Sequence, residues 1–136
     1  MAKSFHSILI TGASSGIGAA LAEEFAAGGV RLVLGGRSTE RLAAVAQTCR
    51  ARGAEVEATA VDVVDRVAVA EWIAAADRRQ ALDLVVANAG VSGGPLAGTE
   101  TEDQARRIFA INVDGVLNTV FPILPTMQAR RRGQIG

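Results

Sequence analysis

The sequence predicts an α/β domain built on a doubly wound parallel sheet, and three observations lead to that prediction. Short apolar runs alternate four times with segments whose apolar residues recur at helical spacing. The first apolar run leads directly into a glycine-rich loop that opens a helix. At 136 residues the chain has the length of one domain, with enough residues for a single core. Repeated strand–helix units require right-handed crossovers, which cover both faces of a parallel sheet.

Four segments are predicted as strands because they are short and bounded by turn residues. They are Ser7–Ile10, Arg31–Gly36, 55–61 and 82–87. The third alternates polar with apolar residues, and the other three are apolar runs. The second is apolar enough to be buried on both faces, as a central parallel strand must be. A Gly/Pro loop from Val91 to Gly98 follows the fourth.

The helices are predicted from apolar spacing and from their capping residues. The first runs from Gly16 to about Ala27, where Gly28-Gly29 ends it. Ser38 caps a second helix that ends near Gly53. Asp65 caps a third, whose apolar face consists of Val69, Trp72, Ile73 and Ala76. Residues from about 101 to 132 are predicted as two helical segments, bent near Pro122 and Pro125.

The glycine-rich loop, Thr11-Gly12-Ala13-Ser14-Ser15-Gly16-Ile17-Gly18, predicts a nucleotide site. Gly12 allows the sharp exit from the strand, Gly16 lets a pyrophosphate approach the backbone, and Gly18 lets the helix lie close to the sheet. The helix N-terminus then directs its amides at the phosphates. No lysine follows Gly16, which excludes a Walker A loop.

The predicted strand order is 3-2-1, with the fourth strand beside the first. Ligands of such sheets bind at the carboxyl ends of the strands, where the order reverses. Gly12, Arg37, Asp62 and Asn88 each follow one of the four strands. The sequence therefore predicts a Rossmann-type sheet with its site at this edge.

Four motifs, in order along the chain, resemble those of the short-chain dehydrogenase/reductase (SDR) family. They are the TGxxxGxG loop at 11–18, Asp62-Val63, Asn88-Ala89-Gly90 and Asn112 in Ile111-Asn112-Val113. The resemblance implies hydride transfer between a nicotinamide cofactor and an alcohol or carbonyl substrate. It also implies a set of cofactor-binding residues: Gly12, Ser14, Ser15, Gly16, Ile17, Gly18, Arg37, Asp62, Val63, Asn88, Ala89 and Gly90. Asn112 resembles the helical Asn of the family's catalytic tetrad. No metal site is predicted.

Arg37 favours NADP(H) over NAD(H). A Rossmann site for NAD carries an acidic residue near this position, whereas this chain has Gly35-Gly36-Arg37. A guanidinium can bind a 2′-phosphate that a carboxylate would repel. Alternative interpretations stay open at three positions: Arg37 can be a solvated charge at a loop tip, Asp62 a turn-forming residue, and Asn112 a mid-helix residue with a polar partner.

The sequence also departs from the family pattern. The resemblance implies a fifth strand with a catalytic Ser and then a Tyr-x-x-x-Lys, but the chain contains no tyrosine and its one lysine is Lys3. We therefore expect the Rossmann-type domain over residues 1–136 to be truncated after the fourth strand and following helices, with the fourth strand's outer edge unpaired. Two hypotheses remain: the cofactor-binding half of an NADP-dependent oxidoreductase, or a non-catalytic dinucleotide-binding module or half of a split enzyme.

The composition also bears on whether the chain binds nucleic acid or spans a membrane. The net charge of +0 gives no sign of a basic surface for nucleic-acid binding. The final arginines are predicted to lie in the last turn of a helix, with Gly133 at its C′ position. No apolar stretch is expected to reach membrane-spanning length. Cys49 is predicted to be buried and His6 to be exposed. We expect a cytoplasmic homo-oligomer acting on a small-molecule substrate.

Overall fold

The computed structural model describes residues 4–93 and 98–136, so part of the predicted 91–98 loop lies outside the described residues. Within them, one parallel sheet has the strand order β3-β2-β1-β4-β5. The strands are β1 (Ser7–Ile10), β2 (Arg31–Gly36), β3 (Glu55–Ala60), β4 (Leu84–Val86) and β5 (Gln134–Ile135). The predicted doubly wound sheet and the order of its first four strands are confirmed.

The helices follow the predicted pattern with small differences at their ends. They are α1 (Gly16–Phe25), α2 (Thr39–Ala51), α3 (Arg66–Arg79), α4 (Glu102–Phe109), a π-helical turn (Ala110–Asp114), α5 (Gly115–Val120) and α6 (Leu124–Ala129). The Ser38 and Asp65 side chains accept hydrogen bonds from the first turns of α2 and α3, as predicted. Helix α1 ends at Phe25, before the predicted Ala27, and Gly29 takes the left-handed conformation at φ 84°.

The sheet separates two apolar layers. Ile8, Ile10 and Leu34 belong to the layer beneath α1 and α2, where Cys49 is buried as predicted. Leu9, Val33 and Val85 point the other way, toward α3 and the residues Ile123 and Met127. Burial raises the pKa of the Cys49 thiol, which keeps it protonated and fits a packing role. His6 is exposed, also as predicted.

The C-terminal helical stretch has more breaks than predicted. Helix α5 ends before the turn at residues 121–123, and Pro125 lies in the first turn of α6, so the helical stretch divides near Pro122 and Pro125, where a bend is predicted. The π-helical turn was not predicted. The 28-residue stretch Glu102–Ala129 is also long and apolar enough to cross a membrane, by length and composition only. Our expectation that no apolar stretch reaches this length was therefore wrong. Asn112, Asp114 and Asn118 interrupt the apolar residues of this stretch, but its mean hydropathy is still high.

The outer edge of β4 is paired, contrary to our expectation. The backbone N–H of Gln134 donates to Asp83 O (2.9 Å), and that of Gly136 donates to Val85 O (3.0 Å). A fifth strand of two residues thus lies beside β4. They reach β4 because the chain reverses sharply after α6, where Arg131 takes a left-handed φ of 53° and Gly133 a φ of 139°.

The C-terminal arginines differ from their predicted role. Arg131, and not Gly133, occupies the left-handed C′ position after α6, and Arg132 N–H closes the cap on Met127 O (3.1 Å). The side chain of Arg130 forms a two-pronged ion pair with Asp77, both contacts at 2.9 Å. Arg132 pairs with Asp83. These arginines therefore join the end of α6 to α3 and to the start of β4, in addition to ending the helix.

Asp83 lies at the amino-terminal edge of the sheet and joins the chain end to β1. Its Oδ2 accepts from the backbone N–H groups of His6 (3.0 Å) and Ser7 (3.2 Å). Burial raises its pKa, but the Arg132 hydrogen bond and charge together with these two N–H groups outweigh burial and hold the pKa below its ordinary value. The carboxylate's stabilising contribution is present above that ordinary pKa and is lost as the pH falls through the lower folded value.

Candidate functional site

A cleft of about 760 Å³ opens at the carboxyl ends of β1 to β4. That volume suits a small-molecule cofactor or substrate. The residues around it are Gly12, Ser14, Ser15, Gly16, Ile17, Gly36, Arg37, Ser38, Arg41, Val61, Asp62, Val63, Asn88, Ala89, Gly90, Val91, Ser92, Ile111 and Asn112. Every site residue named from the sequence lines this cleft except Gly18, which lies behind the loop.

The glycine positions have different physical requirements. Gly12 has a φ of 65°, and a Cβ there would lie 2.7 Å from the Cα of Ala89. A Cβ at Gly18 would overlap the carbonyl oxygen of Gly12 and approach Asn88 Nδ2 to 2.5 Å. Gly16 has a φ of 56°, and its missing side chain would meet nothing within 4 Å. Gly12 and Gly18 therefore allow close packing, and Gly16 leaves the mouth of the loop open.

The N-terminus of α1 offers hydrogen-bond donors to the cleft. The first amides of a helix have no intrahelical acceptor. Ser15 is the N-cap residue, but its side chain makes no capping hydrogen bond. Since Ser15, Gly16 and Ile17 all line the cleft, the partial positive charge of the helix end faces it too. This arrangement suits an anion such as a phosphate.

Asn88 connects the end of β4 to the glycine loop. Its Nδ2 donates to the carbonyl oxygens of Thr11 (3.2 Å) and Gly12 (3.3 Å). The neighbouring Ala89 N–H donates to Thr11 Oγ1 at 3.1 Å. These bonds fix the 88–90 segment against the loop, so that both form one wall of the cleft.

Asn112 lies in the π-helical turn and pairs with the backbone of Val91. Its Oδ1 accepts from Val91 N–H and its Nδ2 donates to Val91 O, each at 2.8 Å. Both side-chain polar atoms are thereby engaged in holding the loop after β4. The sequence could not indicate this contact, because the two residues are 21 positions apart.

A second contact from the same helical stretch supports the end of β3. Asn118 Nδ2 donates to Val63 O at 2.9 Å, and a Cβ on Gly115 would lie 2.7 Å from Val63 Cγ2. Asp62 Oδ1 accepts from Val64 N–H at 3.1 Å, so Asp62 does form a local turn. It also lines the cleft, and the two interpretations of Asp62 are therefore compatible.

The β2 end of the cleft is basic. Arg37 and Arg41 both line it, with Ser38 between them in sequence. Neither forms a salt bridge within residues 4–93 and 98–136. Arg41 was missed because sequence reasoning stopped at the end of the strand. Its signal was a basic residue in the first turn of a helix, where acidic residues are favoured.

Comparison with known proteins places the chain in a family. The family model for short chain dehydrogenase matches residues 6–135. The chain belongs to that family. An uncharacterized oxidoreductase of Myxococcus xanthus is 41% identical over 133 residues, which are 97% of this chain and 53% of that relative. This short chain dehydrogenase sequence therefore spans about half the length of the curated relatives it matches.

Solved structures of family members superimpose on most of the chain. NAD+-bound xylitol dehydrogenase has a TM-score of 0.87 at 27% identity, covering 96% of this chain and 51% of its own. A metagenomic short-chain oxidoreductase in complex with NADP has a TM-score of 0.85 at 34% identity, covering 96% and 60%. Both nicotinamide dinucleotides thus occur among the structural relatives of this family member.

Proposed function

We propose that this chain forms the cofactor-binding half of an NADP-dependent short-chain oxidoreductase, which transfers hydride between the nicotinamide cofactor and an alcohol or carbonyl substrate. The observation that carries the proposal is the cleft at the carboxyl ends of the strands. It is faced by the N-terminus of α1, where Ser15 makes no side-chain cap, and by Arg37, which forms no salt bridge within the described residues. Family membership and the NAD+- and NADP-bound structural relatives support it.

The residues of the cleft fit such a cofactor from end to end. The open space beside Gly16 and the first amides of α1 would receive the pyrophosphate. Arg37 would bind a 2′-phosphate, and Asp62 and Val63 would lie beside the adenine. Ala89 and Gly90 would support the nicotinamide side, held in place by Asn88 and Asn112. The bound cofactor would supply or accept the hydride.

Replacing Arg37 with alanine is expected to weaken NADP(H) binding by roughly ten- to a hundredfold. A hydrogen bond to a charged group contributes about 1.5–3 kcal/mol, which corresponds to that range. NAD(H) affinity should stay nearly constant, because NAD(H) has no 2′-phosphate. Calorimetric titration of both cofactors against both proteins measures the difference, and equal losses for the two cofactors would contradict the role of Arg37.

A second candidate function is a dinucleotide-binding module without activity of its own, or one half of a split enzyme. It is favoured by one observation: the chain contains no tyrosine, the residue that the family resemblance implies as general acid/base. We therefore expect the 136-residue chain to bind NADPH without oxidising it in the presence of carbonyl compounds. Steady NADPH oxidation that the Gly16→Trp variant abolishes would contradict this expectation.

We further propose that the chain forms a homo-oligomer in the cytoplasm. The support is a row of exposed apolar side chains four residues apart along α4 to α5 and the turn beyond: Phe109, Val113, Leu117 and Phe121. Phe109 and Phe121 are 67% and 62% exposed, which suggests an unfilled contact. Light scattering should show self-association that Phe109→Ser with Phe121→Ser removes. A monomeric wild-type protein would contradict it.

A further inference from the structure

Arg41 is held at the β2 end of the cleft by the cap of α2. It is the third residue of that helix, and its backbone N–H donates to the Ser38 Oγ at 3.4 Å. Ser38 immediately follows Arg37, and all three residues line the cleft. The capped turn therefore fixes where the Arg41 side chain begins, while the guanidinium remains exposed to the cleft.

The position of Arg41 is electrostatically unfavourable for the helix alone. A cation in the first turn opposes the partial positive charge of the helix N-terminus. Within the described part of the chain, six other arginines form salt bridges: Arg31, Arg52, Arg79, Arg106, Arg130 and Arg132. Arg41 forms none, even with its neighbour Glu40. Asp62 also lines the cleft, yet it does not pair with Arg41 or Arg37. Two guanidinium groups thus face the same space, and no carboxylate among residues 4–93 and 98–136 forms a salt bridge with either.

We infer that Arg41 is a second specificity-determining residue, which binds the 2′-phosphate of NADP(H) together with Arg37. This inference rests on the proposed function of the cleft. A phosphate monoester carries about −1.5 to −2 charges at pH 7, so one guanidinium leaves much of that charge unbalanced. Two guanidinium groups match it. Arg37 in the loop and Arg41 in helix α2 therefore both contribute to the preference for the 2′-phosphate.

Two nucleotides that differ in this phosphate provide the test: adenosine 2′,5′-bisphosphate and adenosine 5′-monophosphate. Both are titrated by calorimetry against wild type, Arg37→Gln, Arg41→Gln and the double variant. Arg66→Gln is the matched control, since Arg66 begins α3 just after β3, is exposed and does not line the cleft. Circular dichroism verifies that each variant is folded.

Arg41→Gln is expected to weaken binding of the bisphosphate by about tenfold. Its affinity for the monophosphate should stay within about twofold of wild type. The double variant should bind the bisphosphate no better than the monophosphate, and Arg66→Gln should behave as wild type.

The outcomes distinguish failure of the Arg41 inference from failure of the proposal that the cleft binds NADP(H). Unchanged bisphosphate binding in Arg41→Gln, with a loss in Arg37→Gln, overturns the role of Arg41 and leaves the NADP proposal standing. Equal losses for both nucleotides in Arg41→Gln also overturn it, since Arg41 would then act on another part of the nucleotide. A wild-type protein that does not prefer the bisphosphate overturns the NADP proposal itself.

Discussion

Gly18→Ala is expected to weaken cofactor binding by about a hundredfold or more, since misplacing the loop removes several phosphate contacts together. The new Cβ would overlap the carbonyl oxygen of Gly12 and press on Asn88 Nδ2. These atoms belong to backbone and to a hydrogen-bonded side chain, so relief requires α1 or the loop to move. Overpacking of this kind also costs about 1–3 kcal/mol of folding free energy.

Gly28→Ala is the matched control for this change. A Cβ at Gly28 would meet nothing within 4 Å, and its φ lies outside the left-handed region. That variant should bind NADPH with wild-type affinity, as measured by calorimetry. If Gly18→Ala also bound normally, close packing of α1 on the loop would not be what shapes the site.

Arg31→Met is expected to give the largest loss of folding stability. Arg31 is 3% exposed, and its guanidinium bonds to Glu57 (2.8 Å), Ser7 Oγ (3.2 Å), and the carbonyls of Ala76 (3.1 Å) and Gln80 (3.2 Å). It therefore caps the end of α3 and joins it to three strands. Removing one partner of a buried pair costs about 3–5 kcal/mol. We expect the lower end, since Glu57 is partly exposed and also contacts Arg79.

Arg79→Met removes the exposed partner of the Glu57 carboxylate. The Arg79 side chain is 66% exposed and lies 3.4 Å from Glu57. Exposed ion pairs contribute about 0–1 kcal/mol, so this variant should unfold near the wild-type urea midpoint. Equal losses of folding free energy in Arg31→Met and Arg79→Met would show that burial of Arg31 does not strengthen its contacts.

The sequence was sufficient for the parts of the fold that depend on local pattern. β1 and β2 are fully buried central strands and are apolar except for Ser7 and Arg31 at their starts, and their bounds are the predicted ones. Ser38 and Asp65 could be recognised as N-cap residues from the sequence, because an N-cap contact spans only three residues. Parallel pairing then follows from the alternation of strands and helices, since that connection has one favoured hand.

The features that the sequence did not predict depend largely on contacts between residues distant in sequence. Pairing of β5 with β4 requires Arg131 in a conformation that non-glycine residues rarely adopt. The helix cap and the ion pairs of its neighbours, Arg130 with Asp77 and Arg132 with Asp83, stabilise this turn. No local pattern indicated the π-helical turn. In the site, the glycine loop was recognisable from spacing alone. The Asn112–Val91 pair emerges only when the elements pack, because the two residues are 21 positions apart.

The most direct test of the account is to locate the NADP+ site by amide NMR shifts in the isotopically labelled chain. The account predicts saturable changes at residues 12–18, 36–41, 62–64 and 88–91. Amides at the opposite edge of the sheet, such as Ser7, Asp83 and Gln134, should hardly move. Changes concentrated on Phe109 to Phe121, or none at saturating NADP+, would contradict the claim that the cleft at the carboxyl ends of the strands is a dinucleotide site.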